Sequence, residues 1–169
     1  MREIMYAEAI REALREEMIK DPNVILIGED IGAYGGAFKI TDSFLKEFGP
    51  ERIRDTPISE AAIAGAAIGA SLIGLRPIAE IMYMDFLPIA LEQICNQAAK
   101  MRFMSGGQLK VPIVIRTQYS LGRAHGAQHS QYIPSWLLQV AGVKVALPST
   151  PYDAKGLLKT AMRDGNPVV

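Results

Sequence analysis

The chain has a single cysteine, Cys95, so it has no means of forming an internal disulfide. That usage fits a reducing compartment. Cys95 sits in an apolar, helical stretch and reads as a buried inert thiol rather than a nucleophile. Charge of one sign is also missing: Lys plus Arg number 18 and Asp plus Glu number 18, for a formal net charge of zero. This excludes the basic excess of a nucleic-acid binder or of a protein held on anionic lipid. No apolar run approaches the ~20 residues of a membrane span. The N-terminus lacks the apolar core of a signal peptide. The expectation is a cytoplasmic protein with neither nucleic-acid nor membrane partners. Internal repeats, linkers and low-complexity segments are absent, and 169 residues suffice for one α/β domain with a real core.

What the chain does have is small residues in one place. Asp55-Thr56-Pro57-Ile58-Ser59-Glu60 leads into Ala61-Ala62-Ile63-Ala64-Gly65-Ala66-Ala67-Ile68-Gly69. Pro57 cannot sit inside a helix and biases Thr56 towards an extended shape. Ser59 is a good N-cap, so the spacing predicts a helix from Glu60 to about Gly74. So little side chain lets another backbone or a flat ligand come very close. Glycine inside a helix costs about 1 kcal/mol against alanine, so Gly65 and Gly69 need a packing or functional reason. Glu60 has a plain reading too: an acid in the first turn favours the helix dipole by a few tenths of a kcal/mol. Spacing alone does not separate that from a functional carboxylate.

Around this helix, strands and helices alternate. Residues 3–20 carry Ile4, Ala7, Ile10, Ala13, Leu14 and Met18 at helical spacing, ended by Asp21-Pro22-Asn23. Val24-Ile25-Leu26-Ile27 reads as a buried strand closed by Gly28. Glu29, Asp30 and a loop with Gly32, Gly35 and Gly36 follow at that strand's carboxyl end, where ligands bind in open α/β sheets. We read the loop as mobile or interfacial, and its two acids as solvated or capping. A helix over 42–48, an extended piece at 52–55, a strand over 78–82 and a long helix over 85–104 come next. The long helix aligns Leu87, Leu91, Ile94, Ala98 and Met101. A strand over 111–116 enters at Pro112. The polar loop 117–131 holds Gly122, Arg123, His125, Gly126, Gln128, His129, Ser130 and Gln131. A helix over 132–140, a full strand over 143–147 and a helix from the cap Thr150 to Arg163 complete the pattern. Pro167-Val168-Val169 reads as the start of another strand, so the sequence is expected to be a piece of a longer polypeptide. The alternation calls for a parallel sheet with helices on both faces. His125 and His129 are four apart, yet that loop offers too few ligands for zinc, and His125 stays unassigned.

Glu60, four residues, Gly65, an apolar residue, two residues and Gly69 form a pattern that resembles the pyrimidine-domain motif of thiamine-diphosphate enzymes. The longer motif often ends in Gln where this chain has Leu72. Further blocks point the same way: 54–60 (Arg-Asp-Thr-Pro-Ile-Ser-Glu), 74–78, 104–107 (Met-Ser-Gly-Gly), 111–114, 127–131 (Ala-Gln-His-Ser-Gln), 153–157 and 166–169 (Asn-Pro-Val-Val). Together they are similar, over essentially the whole chain, to the β subunit of the thiamine-diphosphate-dependent decarboxylating component of 2-oxo acid dehydrogenase complexes (pyruvate, branched-chain or acetoin type). The resemblance implies the thiamine-diphosphate-binding, transketolase pyrimidine-domain fold across 1–169, without the family's C-terminal transketolase-like domain. It implies that Glu60 hydrogen-bonds the aminopyrimidine N1′, that Met82 and Phe86 pack on that ring, and that His129 lies near the reacting end. It implies a potassium site, mostly of backbone carbonyls, at Ile113, Ala161, Met162, Asp164 and Asn166. The diphosphate and its Mg2+ are expected from an α subunit in an α2β2 assembly, with a lipoyl-bearing acyltransferase core as the acceptor's carrier. The chain alone is then expected to be inactive. Two other readings stand beside this one. The first is a pyrimidine domain of the 1-deoxyxylulose-phosphate-synthase or transketolase type. The second is a non-catalytic α/β domain that binds a partner.

Overall fold

Apolar residues in this chain fall on two periods, and the computed structural model, which describes residues 3–119 and 125–169, shows what each period builds. Helix α1 spans Tyr6–Lys20 and buries Ala9, Ala13, Leu14, Glu17 and Met18, a stripe of helical period. Glu8 reaches back to accept the Met5 amide N–H at 3.0 Å, which satisfies one of the unpaired donors at the helix start. Strand β1 (Val24–Gly28) is buried at every position, as a strand covered on both faces must be. Short helix α2 (Phe44–Phe48), strand β2 (Ile53–Asp55), helix α3 (Glu60–Leu72) and strand β3 (Arg76–Ile81) follow. A 3-10 turn at Met84–Phe86 leads to α4 (Leu87–Glu92), a π-helical segment (Gln93–Ala98) and α5 (Ala99–Met104). Then come β4 (Val114–Thr117), a 3-10 turn (Ala127–His129), α6 (Ser135–Leu138) and α7 (Pro151–Arg163).

The sheet is parallel in the order β2-β1-β3-β4. Successive residues along each strand enter opposite cores. Leu26, Ile78 and Val114 join Leu14, Met18, Phe44 and Met162 on the α1/α7 face. Ile27, Ala79 and Ile115 join Ile63, Ala67, Leu87 and Ile94 on the α3/α4 face. The strand period of two thus fills two separate cores, which is the expected doubly covered sheet. On the first face, α1 and α7 are also laced by charge: Lys155 pairs with Glu12 and Glu16, Lys159 with Glu16, and Arg163 with Glu17.

Several boundaries differ from the sequence reading. The helix expected over 85–104 is a continuous helical run broken into 3-10, α, π and α segments. Its π segment lies against α3, where an added Cβ at Gly65 would sit 3.2 Å from Gln93 Oε1. The strand expected over 111–116 begins only at Val114, beyond the proline that lacks an N–H. The helix expected over 132–140 contracts to α6, preceded by Pro134. The segment 143–147 is not a full strand; it joins the sheet through an isolated parallel bridge, Lys144 with Val168. Val168 also bridges Val114, so 167–169 lies between β4 and 143–147, with Ile115 N–H donating to the Val168 carbonyl at 2.8 Å. Ser59 occupies the N-cap of α3 without a side-chain capping bond.

The chain runs from β1 to β2 on one side, then crosses to place β3 on β1's other side. That reversal is the switch point of the sheet, and ligands of such sheets bind at the carboxyl ends of the strands beside it. Gly28, Asp55, Ile81 and Thr117 all end on that edge.

Candidate active site

Glu60 opens α3 at this edge and is only 7% exposed. Its position follows from local chemistry. Thr56 N–H donates to the Gly28 carbonyl at 3.0 Å, tying the end of β2 to the end of β1. Pro57 delays the helix, and Ile63 N–H closes the first turn on the Ser59 carbonyl. The salt bridges among the described residues leave Glu60 without a cation. It has an acidic neighbour instead. Burial holds the Glu29 carboxyl above its usual range, with the charges of Asp30 and Glu60 adding to the effect. Glu29 is therefore half-buried beside Glu60 rather than solvated, as the sequence reading had it. A buried carboxylate at a helix N-terminus, with an acid close enough to feel its charge and no paired cation among the described residues, suits a ligand that brings its own N–H.

The second half of the site is aromatic. The Phe86 and His129 rings lie 5.2 Å apart, edge to face. Tyr83 touches His129 at 5.9 Å and His125 at 6.2 Å, and meets Phe38 at 6.3 Å. The fold thus brings Phe86 and His129 together, and adds Tyr83, Phe38 and the unassigned His125. Met82, between the end of β3 and Tyr83, is partly buried. Gly122 and Arg123 lie outside the described residues. The glycine loop after β1, read from sequence as mobile or interfacial, is pinned. Asp55 accepts from Gly32 N–H at 2.6 Å, Thr41 Oγ1 donates to the Ile31 carbonyl at 2.6 Å, and Gly35 and Gly36 supply the positive φ of the turn.

Sequence reasoning missed two buried acids. Glu80, on β3, forms a buried ion pair with Arg116 across the Glu80/Arg116 register of β3 and β4. Gly28 lies directly against it, since an added Cβ would stand 2.8 Å from the Glu80 carbonyl. Asp85 accepts from Gln131 N–H at 2.8 Å, while its Oδ2 is buried with no partner among the described residues. The signal was present as a lone acid in each of two apolar stretches, Ile78-Ala79-Glu80-Ile81 and Met84-Asp85-Phe86-Leu87. Charged residues are rarely buried unless paired.

Ile113, Ala161, Met162, Asp164 and Asn166 gather at the opposite, amino edge of the sheet, where α7 turns into 167–169. Four of their carbonyls already have donors: Arg76 gives to Met162 at 2.8 Å and to Asp164 at 3.4 Å, Val168 N–H to Ile113, and Asp164 N–H to Ala161. Each carbonyl oxygen retains a second lone pair. The Asp164 carboxyl is held below its usual range, chiefly by its bond to Lys144. Among the described residues no group of three or more His, Cys, Asp or Glu is placed to hold a metal. No described helix is long and apolar enough to cross a membrane. Cys95 is partly buried, and burial raises its thiol pKa, with Lys100 opposing weakly. That disfavours the reactive thiolate.

Known proteins share this architecture. Residues 2–169 match the family described as "Transketolase, pyrimidine binding domain". The chain is 49% identical over 169 residues to the pyruvate dehydrogenase E1 component subunit beta of Chaetosphaeridium globosum, covering all of this chain and 52% of that one. It is 48% identical over 165 residues to the 2-oxoisovalerate dehydrogenase subunit beta of Bacillus subtilis (strain 168), covering 97% of this chain and 50% of that one. It therefore spans about half the length of these curated relatives. Among solved structures it superposes on a "Split gene transketolase, inactive beta4 tetramer" with a TM-score of 0.78, at 22% identity, over 98% of this chain and 50% of that chain. At that identity the likeness shows the fold alone. The family match over nearly every residue, on this sheet topology, means that the chain belongs to the transketolase pyrimidine-binding-domain family.

Proposed function

We propose that this chain is the pyrimidine-binding portion of the β subunit of a thiamine-diphosphate-dependent 2-oxo acid dehydrogenase, an oxidoreductase. The observation that carries it is Glu60: a buried carboxylate at the mouth of an Ala/Gly helix, with no paired cation among the described residues, in a chain near half identical to such β subunits. That similarity favours this reading over the 1-deoxyxylulose-phosphate-synthase type and over a non-catalytic domain.

Bound at this edge, thiamine diphosphate supplies the carbon nucleophile and electron sink for decarboxylating a 2-oxo acid. The protein's own residues do the rest. Glu60 shares a proton between its carboxylate oxygen and the ring nitrogen N1′. Met82 and Phe86 wall the ring and exclude water. His129, braced by Phe86, offers an imidazole for proton transfer at the reacting end. The buried Thr56 Oγ1 and Asp85 Oδ2, both without partners among the described residues, are consistent with a site completed from outside this chain. The reading assigns the diphosphate and Mg2+ to an α subunit in an α2β2 assembly, and acyl transfer to a lipoyl-bearing acyltransferase core. It also carries a cytoplasmic setting and a potassium ion at the amino-edge carbonyls.

Glu60→Gln preserves shape and removes the acid. In the enzyme assembled with its α subunit, the substitution is expected to lower decarboxylation by about 10²- to 10⁴-fold, the usual worth of a positioned acid or base. Near-normal CO2 release would refute the role.

A further inference from the structure

In the short segment Tyr83-Met84-Asp85-Phe86, three side chains touch the histidine loop and the fourth, Met84, touches Ile133 just beyond it. Tyr83 meets the rings of His125 and His129, Phe86 meets the ring of His129, and Met84 Sδ accepts from Ile133 N–H at 3.4 Å. Asp85 supplies the charged contact, its Oδ1 accepting Gln131 N–H at 2.8 Å. We propose that Asp85 is a positioning residue that locks the His125–Gln131 loop to the turn carrying Phe86 and so sets where the His129 imidazole stands. The link to catalysis rests on the role given to His129 above; the lock itself does not.

The choice of residue type supports a positioning role over space-filling. Asp85 is 8% exposed, and its second oxygen, Oδ2, is buried with no donor among the described residues. A buried acceptor without a donor is unfavourable, and an apolar side chain of similar size would pack without that cost. The carboxylate is retained where it accepts from a loop with few backbone bonds among the described residues. Residues 125–128 are exposed, and their one described backbone bond is His129 N–H to the Gly126 carbonyl at 3.2 Å. A hydrogen bond to a charged acceptor is among the stronger ones available to such a loop.

The chain carries only two histidines, so imidazole NMR of the histidine-labelled protein gives two signals to follow. In the unmodified chain the Gln131 amide is expected to exchange with solvent roughly ten- to a hundredfold more slowly than its exposed neighbours, the factor that a hydrogen bond to a charged group is worth. Asp85→Ala is expected to remove that protection and to shift the His129 imidazole signal towards that of free histidine. Asp85→Asn keeps a neutral acceptor oxygen at the same place and is expected to restore the imidazole signal and part of the protection. An unprotected Gln131 amide in the unmodified chain overturns the proposal without any variant. So does an Asp85→Ala protein whose two imidazole signals do not move, or an Asp85→Asn protein that behaves as Asp85→Ala. In the assembled enzyme, Asp85→Ala is further expected to lower kcat while leaving the KM for thiamine diphosphate unchanged. If the NMR result holds and kcat does not fall, the lock stands and the role given to His129 fails.

Discussion

Gly69 offers a test in which stability and assembly should move in opposite directions. It is exposed on α3, and a Cβ built there meets nothing within 4 Å. Nothing among the described residues needs the glycine. An alanine at an exposed helix position is favoured over glycine by about 1 kcal/mol, partly because it narrows the unfolded ensemble. For a domain of this size that corresponds to a rise in Tm of about 2–4 °C. Gly65→Ala is the internal control. Its Cβ would lie 3.2 Å from Gln93 Oε1, the end of a flexible side chain that must give way, so its gain should be smaller. If Gly69 is kept open for a closely approaching backbone, the stabilised chain should associate less well with the α subunit proposed above, and Gly69→Leu should do worse still. The surrounding surface has the composition of a contact: Ile58 is 74% exposed and Ile73 82% exposed at the two ends of the helix. Calorimetry on the chain alone and co-elution with the α subunit read the two halves. The reasoning fails if Gly69→Ala lowers Tm, or if Gly69→Leu assembles as well as the unmodified chain.

Three further outcomes are expected. Glu29 binds its proton more tightly folded than unfolded, because burial and then Asp30 and Glu60 raise its pKa. Ionising it therefore costs stability as pH climbs above the ordinary carboxyl range. Glu29→Gln should raise the urea midpoint at pH 8 and do little at pH 4; an equal effect at both would contradict this. Glu16 and Glu17 run the other way, lowered by bonds to Lys155 and Lys159 and to Arg163 respectively. Their contribution is complete above the ordinary glutamate range and is lost as pH falls through the lowered folded values. Arg163→Ala should flatten the acid limb of the stability curve, and an unchanged limb would show that the α1–α7 pairs are too well solvated to matter. Finally, potassium at the amino-edge carbonyls should raise Tm in KCl over NaCl at equal ionic strength. Equal Tm values would assign those carbonyls to Arg76 and the sheet alone.

Much of the architecture was legible because it depends on local period. The stripe Ala9, Ala13, Leu14 and Met18 can bury only as a helix, and Val24-Ile25-Leu26-Ile27 is too short and too apolar to be anything but a covered strand. Pro57 set where α3 can start, and hence the place of Glu60 at a helix N-terminus, while Ser59 holds the N-cap position without the capping bond its residue type suggested. The misjudged elements are those where a neighbour overrides the local pattern. The π segment Gln93–Ala98 lies against α3 where Gly65 lets it approach, and 143–147 joins the sheet only through 167–169.

The sequence by itself determined a doubly covered parallel sheet and one carboxylate at the head of a small-residue helix, because period, proline and glycine act on neighbours in the chain. Only the tertiary structure decided that Glu80 pairs with Arg116, that Glu29 stands beside Glu60, and that Tyr83, Asp85 and Phe86 hold the loop of His129. Those meetings depend on strand register and on how loops from separate strands converge at one edge. No residue carries that information in its immediate neighbours.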